Sequence, residues 1–124
     1  MGIVDNLITK LVVAGSWTLL DNPVILRNVD TSNDLPAVIV KDAPEHQTVE
    51  SNDGELNIIE ADVPIKIIAN SETDVNSYEA KLKVLLKSHE STSRVCFFKQ
   101  SINVYDDNNM SYVKEIIYTI SEVV

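Results

Sequence analysis

Residues 63–75, VPIKIIANSETDV, decide how the rest of the chain is read. Val63, Ile65 and Ile67 alternate with Pro64 and Lys66, the period of a strand with one face in a core. A few residues on, Ser71, Thr73 and Asp74 bring capping oxygens and negative charge to the start of a helix. Val75, Tyr78, Leu82, Leu85 and Leu86 then recur at helical spacing, and Glu79 and Lys83 are placed to pair at i,i+4 on the surface. Strand-to-helix corners hold phosphate in many proteins, through glycines that let backbone N–H groups approach the anion. This corner has no glycine, and Glu72 and Asp74 would repel an anion. It reads as a helix cap.

Working outward, residues 56–69 form one extended region in which Pro64 predicts a bulge, a sheet edge or a division into two strands. Residues 43–55, APEHQTVESNDGE, read as a polar projecting connection with an Asp53-Gly54 turn. Residues 35–40, LPAVIV, read as a strand with Pro36 at its start. Ile3, Leu7, Ile8, Leu11 and Val12 predict an amphipathic helix over residues 2–14, ended by Gly15. Between them, Asp21-Asn22-Pro23 is a turn and Val24-Ile25-Leu26 a short extended piece. Downstream, residues 95–99 read as a strand that can extend to Tyr105, residues 106–109 as a turn, and residues 112–124 as a long last strand. Strands grouped as hairpins, with two main helices, predict one α+β domain over residues 1–124 with a mostly antiparallel sheet packed against the helices.

A chain of 124 residues buries about two thirds of its unfolded surface, enough for a core without staples. Asp5 stands where a signal peptide would carry positive charge, and Asn6 where a myristoylation signal would carry Ser or Thr. No apolar run reaches the ~18 residues of a membrane span, so the expectation is a cytoplasmic protein without membrane contact. Cys96, alone and flanked by Val95, Phe97 and Phe98, leaves no internal disulfide and reads as a buried, inert strand position. Nineteen acidic against ten basic residues give a net charge of −9, which argues against affinity for nucleic-acid backbones. Asp42, Glu45, Glu50, Asp53, Glu55, Glu60 and Asp62 follow one another without an intervening Lys or Arg. Such a run is a solvated face, or a surface that repels DNA or meets a basic partner.

Catalytic chemistry is not marked. His46 and His89 have no metal-ligand spacing, and His89 stands where an imidazolium would complement a helix C-terminus. Residues 30–34 and 106–109 are acidic but lack the glycine and twelve-residue frame of a calcium loop. No nucleophile elbow is present. The sequence predicts no catalytic residue, no metal, no cofactor and no enzyme.

The order of elements resembles the tail terminator family of long-tailed bacteriophages, also called tail completion or tail-to-head joining proteins. The features that carry it are the helix over residues 3–13, the LPAVIV strand and long loop after it, VPIKIIA running into a helix that opens with Ser, Thr and Asp, and the Phe97-Phe98 strand and Asp-Asn turn leading to Tyr118-Thr119-Ile120. The resemblance implies a structural virion protein, assembled in the host cytoplasm. It would form a ring, typically hexameric, at the head-proximal end of the tail, where it ends growth of the tube. Its partners would be itself, the tail tube protein and the neck connector, with DNA passing through unbound.

In that setting Asp42, Glu45, Glu50, Asp53 and Glu55 are expected to line the channel or face an adjacent ring. Trp17, Leu20 and Ile25 are expected to be either core residues or an intersubunit apolar patch. Other readings stay open: a head-completion or neck protein of related fold, an acidic inhibitor or immunity protein binding a basic partner, and a small enzyme with a deep pocket.

Overall fold

The structure, a computed structural model, describes residues 2–13, 15–50, 57–107 and 110–123, with the backbone alone for residues 48–50. The chain runs α1 (Ile3–Leu11), β1 (Val24–Arg27), β2 (Ala37–Val40), β3 (His46–Glu50), β4 (Asn57–Ala69), α2 (Glu72–His89), β5 (Arg94–Asp106) and β6 (Ser111–Val123). The sheet has the order β1-β2-β4-β6-β5, with β3 also paired to β4. All pairings are antiparallel except β1 with β2. This is the α+β class that the hairpin pattern predicts.

β4 organises the sheet. One side pairs along its whole length with β6, from Ile58↔Val123 to Ala69↔Tyr112. The other side is shared: β2 takes residues 65–68 and β3 takes residues 57–60. Pro64 sits between those two stretches, where β2 leaves. Its carbonyl accepts from Lys41 N at 3.0 Å, and the N–H it lacks would have faced the same departing strand. Of the three outcomes expected for this proline, a bulge, an edge or a division, it takes the edge: β4 runs through Pro64 unbroken, and the proline faces the flank where β2 ends.

Both helices cover one face. Ala61, Val63, Ile65 and Ile67 of β4 and Ile116, Tyr118 and Ile120 of β6 meet Ile3, Leu7 and Leu11 of α1 and Val75, Leu82 and Leu86 of α2 in one buried cluster. Leu82 and Leu86 are fully buried, and each contributes about 2 kcal/mol toward holding α2, whose outer face is polar. Ser71 caps α2 by accepting from Asp74 N at 3.1 Å, as the corner predicts.

The connection from β1 to β2 crosses the opposite face. Asp30 on it accepts from Lys41 at 2.5 Å, and its carbonyl accepts from Lys66 at 3.2 Å. Leu35 and Leu26 pack there on a second small cluster of Ile39, Ile68 and Val113. That face is thus covered at the β1–β2 end. Toward β6 and β5 it has no second layer among the described residues.

Several local expectations change. The polar segment expected to project contains β3, because β4 is long enough to offer it a partner beyond β2. α1 ends at Leu11, short of Gly15, which does adopt the left-handed φ of 84°. Glu79 pairs not with Lys83 but with Lys114 of β6, at 2.8 Å, while Lys83 lies 4.6 Å over the Phe98 ring.

Candidate assembly surfaces

The described members of the acidic run are held by groups from distant parts of the chain. Asp42 accepts from Arg27 Nε at 2.7 Å and from Asn28, and its own N–H donates to Asn28. These bonds from Asn28 and Arg27 hold the Asp42 carboxyl below the usual carboxylate range. Glu45 accepts from Ile3 N at 2.8 Å and so caps α1, opposite Asp5, which accepts from Gly2 N at 3.1 Å. A Cβ on Gly2 would stand 2.8 Å from Glu45 Oε2, so the helix start is shaped around that carboxylate. Glu60 accepts from Ser121 Oγ, and Asp62 from Lys99 and Thr119. The Glu50 side chain, Asp53 and Glu55 lie outside the described residues.

Of the three apolar candidates, Trp17 belongs to the core of the fold. It is 3% exposed, its Nε1 donates to Leu11 O at 3.0 Å, and its ring sits 5.9 Å from that of Tyr78. Leu20 and Ile25 are half-buried against the same cluster. Val12 and Val13 are more than half exposed nearby, and the two valines line a cleft of about 380 Å3 with Trp17, Pro23 and Ile25. Sequence spacing gave Val12 to the buried stripe; the early end of α1 turns it outward.

The corner before α2 opens on a cleft of about 420 Å3 whose lining includes Asp21, Asn70, Asp74 and Tyr78. Tyr78 Oη donates across it to Asp21 O at 2.6 Å. The carboxylates there suit no anion. His89 is buried at the end of α2, with Nε2 lacking a hydrogen-bond partner. Burial, with Arg94 and Lys10 nearby, lowers it to about 4, so the imidazole is neutral and does not serve the helix dipole as a cation. His46 stands 3.7 Å from Glu60 on the surface. Burial pushes the Cys96 thiol up to about 12. No group of three or more His, Cys, Asp or Glu among the described residues could hold a metal.

β5 is the exposed strand. None of its residues is buried. On the uncovered sheet face Val95, Phe97, Ile102 and Val104 stand opposite Ser121, Thr119, Glu115 and Val113 of β6. Phe97 is 67% exposed and Val95 55%. On the helix face Phe98 is fixed edge-on to Tyr118 at 5.7 Å. A bulge lies between Phe98 and Gln100. Sequence reasoning placed this strand but missed its exposure, because its apolar content is that of an interior strand.

No protein-family model matches this chain, and no curated protein matches it in sequence. Among solved structures it is similar to a chain of the "virion of native gene transfer agent (GTA) particle". The TM-score is 0.73 at 10% identity, over 98% of this chain and 95% of that one. At that identity the likeness shows a shared fold, carried from end to end of both chains.

Proposed function

We propose that the chain is a structural virion protein that forms a ring, a hexamer, at the head-proximal end of a phage-type tail. There it ends growth of the tail tube and docks the tail to the neck. The observation that carries this reading is the end-to-end likeness in fold to a chain of a gene transfer agent virion. The order of sequence elements supports it independently, and the described clefts and titratable groups assemble no catalytic constellation. DNA would cross such a ring without binding, since the net charge of −9 offers phosphate no cationic track.

Within this reading the acidic segment faces the channel or an adjacent ring. Asp42 and Glu45 also have intramolecular partners, so neutralising them would disturb the fold itself, and Glu50, Asp53 and Glu55 are the members to test. Neutralising those three should leave the subunit folded and impair particle assembly or DNA passage; intact particles would make the segment plain surface. An intersubunit role for the apolar trio falls to the exposed parts of Leu20 and Ile25, since Trp17 is internal.

Deleting the gene in the cell that makes the particle, with negative-stain microscopy of the products, tests the function. Tails of irregular, excessive length beside full, unattached heads are expected. Normal tails beside leaking heads would move the protein to head completion at the neck. Unchanged particles would defeat the virion reading and favour an acidic inhibitor of a basic partner.

A further inference from the structure

An edge strand in a monomer is ordinarily short, charged or covered, because its unpaired N–H and C=O groups template another chain. β5 is 13 residues long, and its sequence, RVCFFKQSINVYD, is rich in apolar side chains although none is buried. Its two cations are already matched within the subunit, Arg94 by Glu122 at 2.7 Å and Lys99 by Asp62 at 2.8 Å. Strands of this length run about 40 Å, and three side by side span about 14 Å. Covering β5 with the adjoining strip of β6 and the part of β4 clear of the β1–β2 connection would remove about 500 Å2 per partner, close to the lower bound of a specific interface.

We propose that β5 and the uncovered sheet face beside it form the contact with a second copy of this chain. This rests on the ring reading above and names the surface that closes the ring. Charge selects the occupant. A foreign partner drawn to a chain of charge −9 would be basic and would seek unmatched carboxylates. Here the carboxylates are matched: Asp62 with Lys99, Glu115 with Lys66, Glu122 with Arg94. A second copy, equally acidic, meets least repulsion where opposite charges are already balanced.

The receiving surface lies at the other end of the same sheet. β5 paired with another β5 would close a two-fold dimer and stop, whereas a ring needs a head-to-tail contact between different surfaces. β1 is the opposite terminal strand. Beside it Val12 and Val13, both more than half exposed, line a cleft with Ile25 of β1. The β5 edge of one copy packs on this rim of the next.

The test places a photo-cross-linking benzoylphenylalanine at position 97 and irradiates both assembled particles and the concentrated purified chain. The expected product has twice the subunit mass, with the linked peptide from residues 12–25 of the second copy. A peptide from residues 94–106, a product containing a different protein, or no product from the concentrated purified chain overturns the contact. Phe97→Glu with Ile102→Glu provides the second check. Both side chains are largely exposed, so the variant should keep the native circular dichroism spectrum and lose the cross-linked band and particle rescue. Full rescue by that folded variant overturns the contact. The gene deletion separately tests the virion reading, and the purified-chain cross-link decides the contact whichever way the deletion falls.

Discussion

Arg94 Nε on β5 donates to Glu122 Oε2 on β6 at 2.7 Å, and the Glu122 side chain is 9% exposed. Asn6 of α1 donates to the same carboxylate at 3.2 Å, and Arg94 Nη1 reaches His89 O at 3.2 Å. One guanidinium–carboxylate pair therefore joins both helices to the β5–β6 hairpin. Arg94→Ala strands a buried carboxylate and should lower the unfolding free energy by about 3 kcal/mol, whereas Arg94→Met with Glu122→Leu should restore most of it. Urea unfolding followed by circular dichroism reads both.

His89 should make stability depend on pH between about 6.5 and 4. Its folded-state value, about 4, lies below that of an unfolded histidine, so in this window the unfolded chain binds the extra proton. Stability is then fully present above pH 6.5 and falls as the pH approaches 4. Asp30, Asp42 and Asp62 are held low by their partners, so their contributions are lost only at more acid pH. Thermal melts from pH 7 to 4.5 should show the decline in the native chain and a flatter profile in His89→Gln.

Lys114→Met should be among the most destabilising single changes outside the apolar core. Lys114 and Glu79 are each 12% exposed, 2.8 Å apart, and Ser101 Oγ adds a bond to Glu79 at 2.6 Å. Burial raises the Glu79 carboxyl, and Lys114 and Ser101 more than reverse that. Removing the ammonium should lower stability by about 3 kcal/mol, and adding Glu79→Gln should recover part of it. The double-mutant cycle is the measurement.

Leu19→Asn should stabilise the fold. Leu19 has φ 71° and is 99% exposed, so its left-handed backbone is strained and its side chain contacts little. Asparagine tolerates that region, and a gain of about 0.5–1 kcal/mol is expected in the same unfolding assay.

Glu45→Ala should loosen α1 by about 1 kcal/mol, the usual effect of losing a cap. Faster hydrogen exchange at Ile3 and Val4, with β4 and β6 unchanged, would mark the loss as local. Protection unchanged at Ile3 would count against the cap.

The parts of this fold that were legible in the sequence are those whose pattern is local. α2 announced itself because its stripe and its Ser71 cap lie within one stretch. β3 did not, because HQTVE has no apolar alternation and owes its pairing to the far half of β4. The parallel pairing of β1 and β2 depends on where the connection over residues 28–36 crosses, which no spacing encodes. Glu79 was given to Lys83 by the helix rule, but tertiary packing brought Lys114 closer. The acidic run looked like a field of free charge. Arg27, Asn28, Lys99 and the N-terminus of α1 answer much of it from positions remote in sequence.

Pro64 bears on how the edges of the sheet are arranged. The flank of β4 between the end of β2 and the start of β3 is a short break in the pairing on that side of the strand. There Pro64 has no N–H to offer, and its carbonyl is already engaged by Lys41. The residue that looked like a defect in the strand thus withholds a ladder donor where β4 passes from one partner strand to the other.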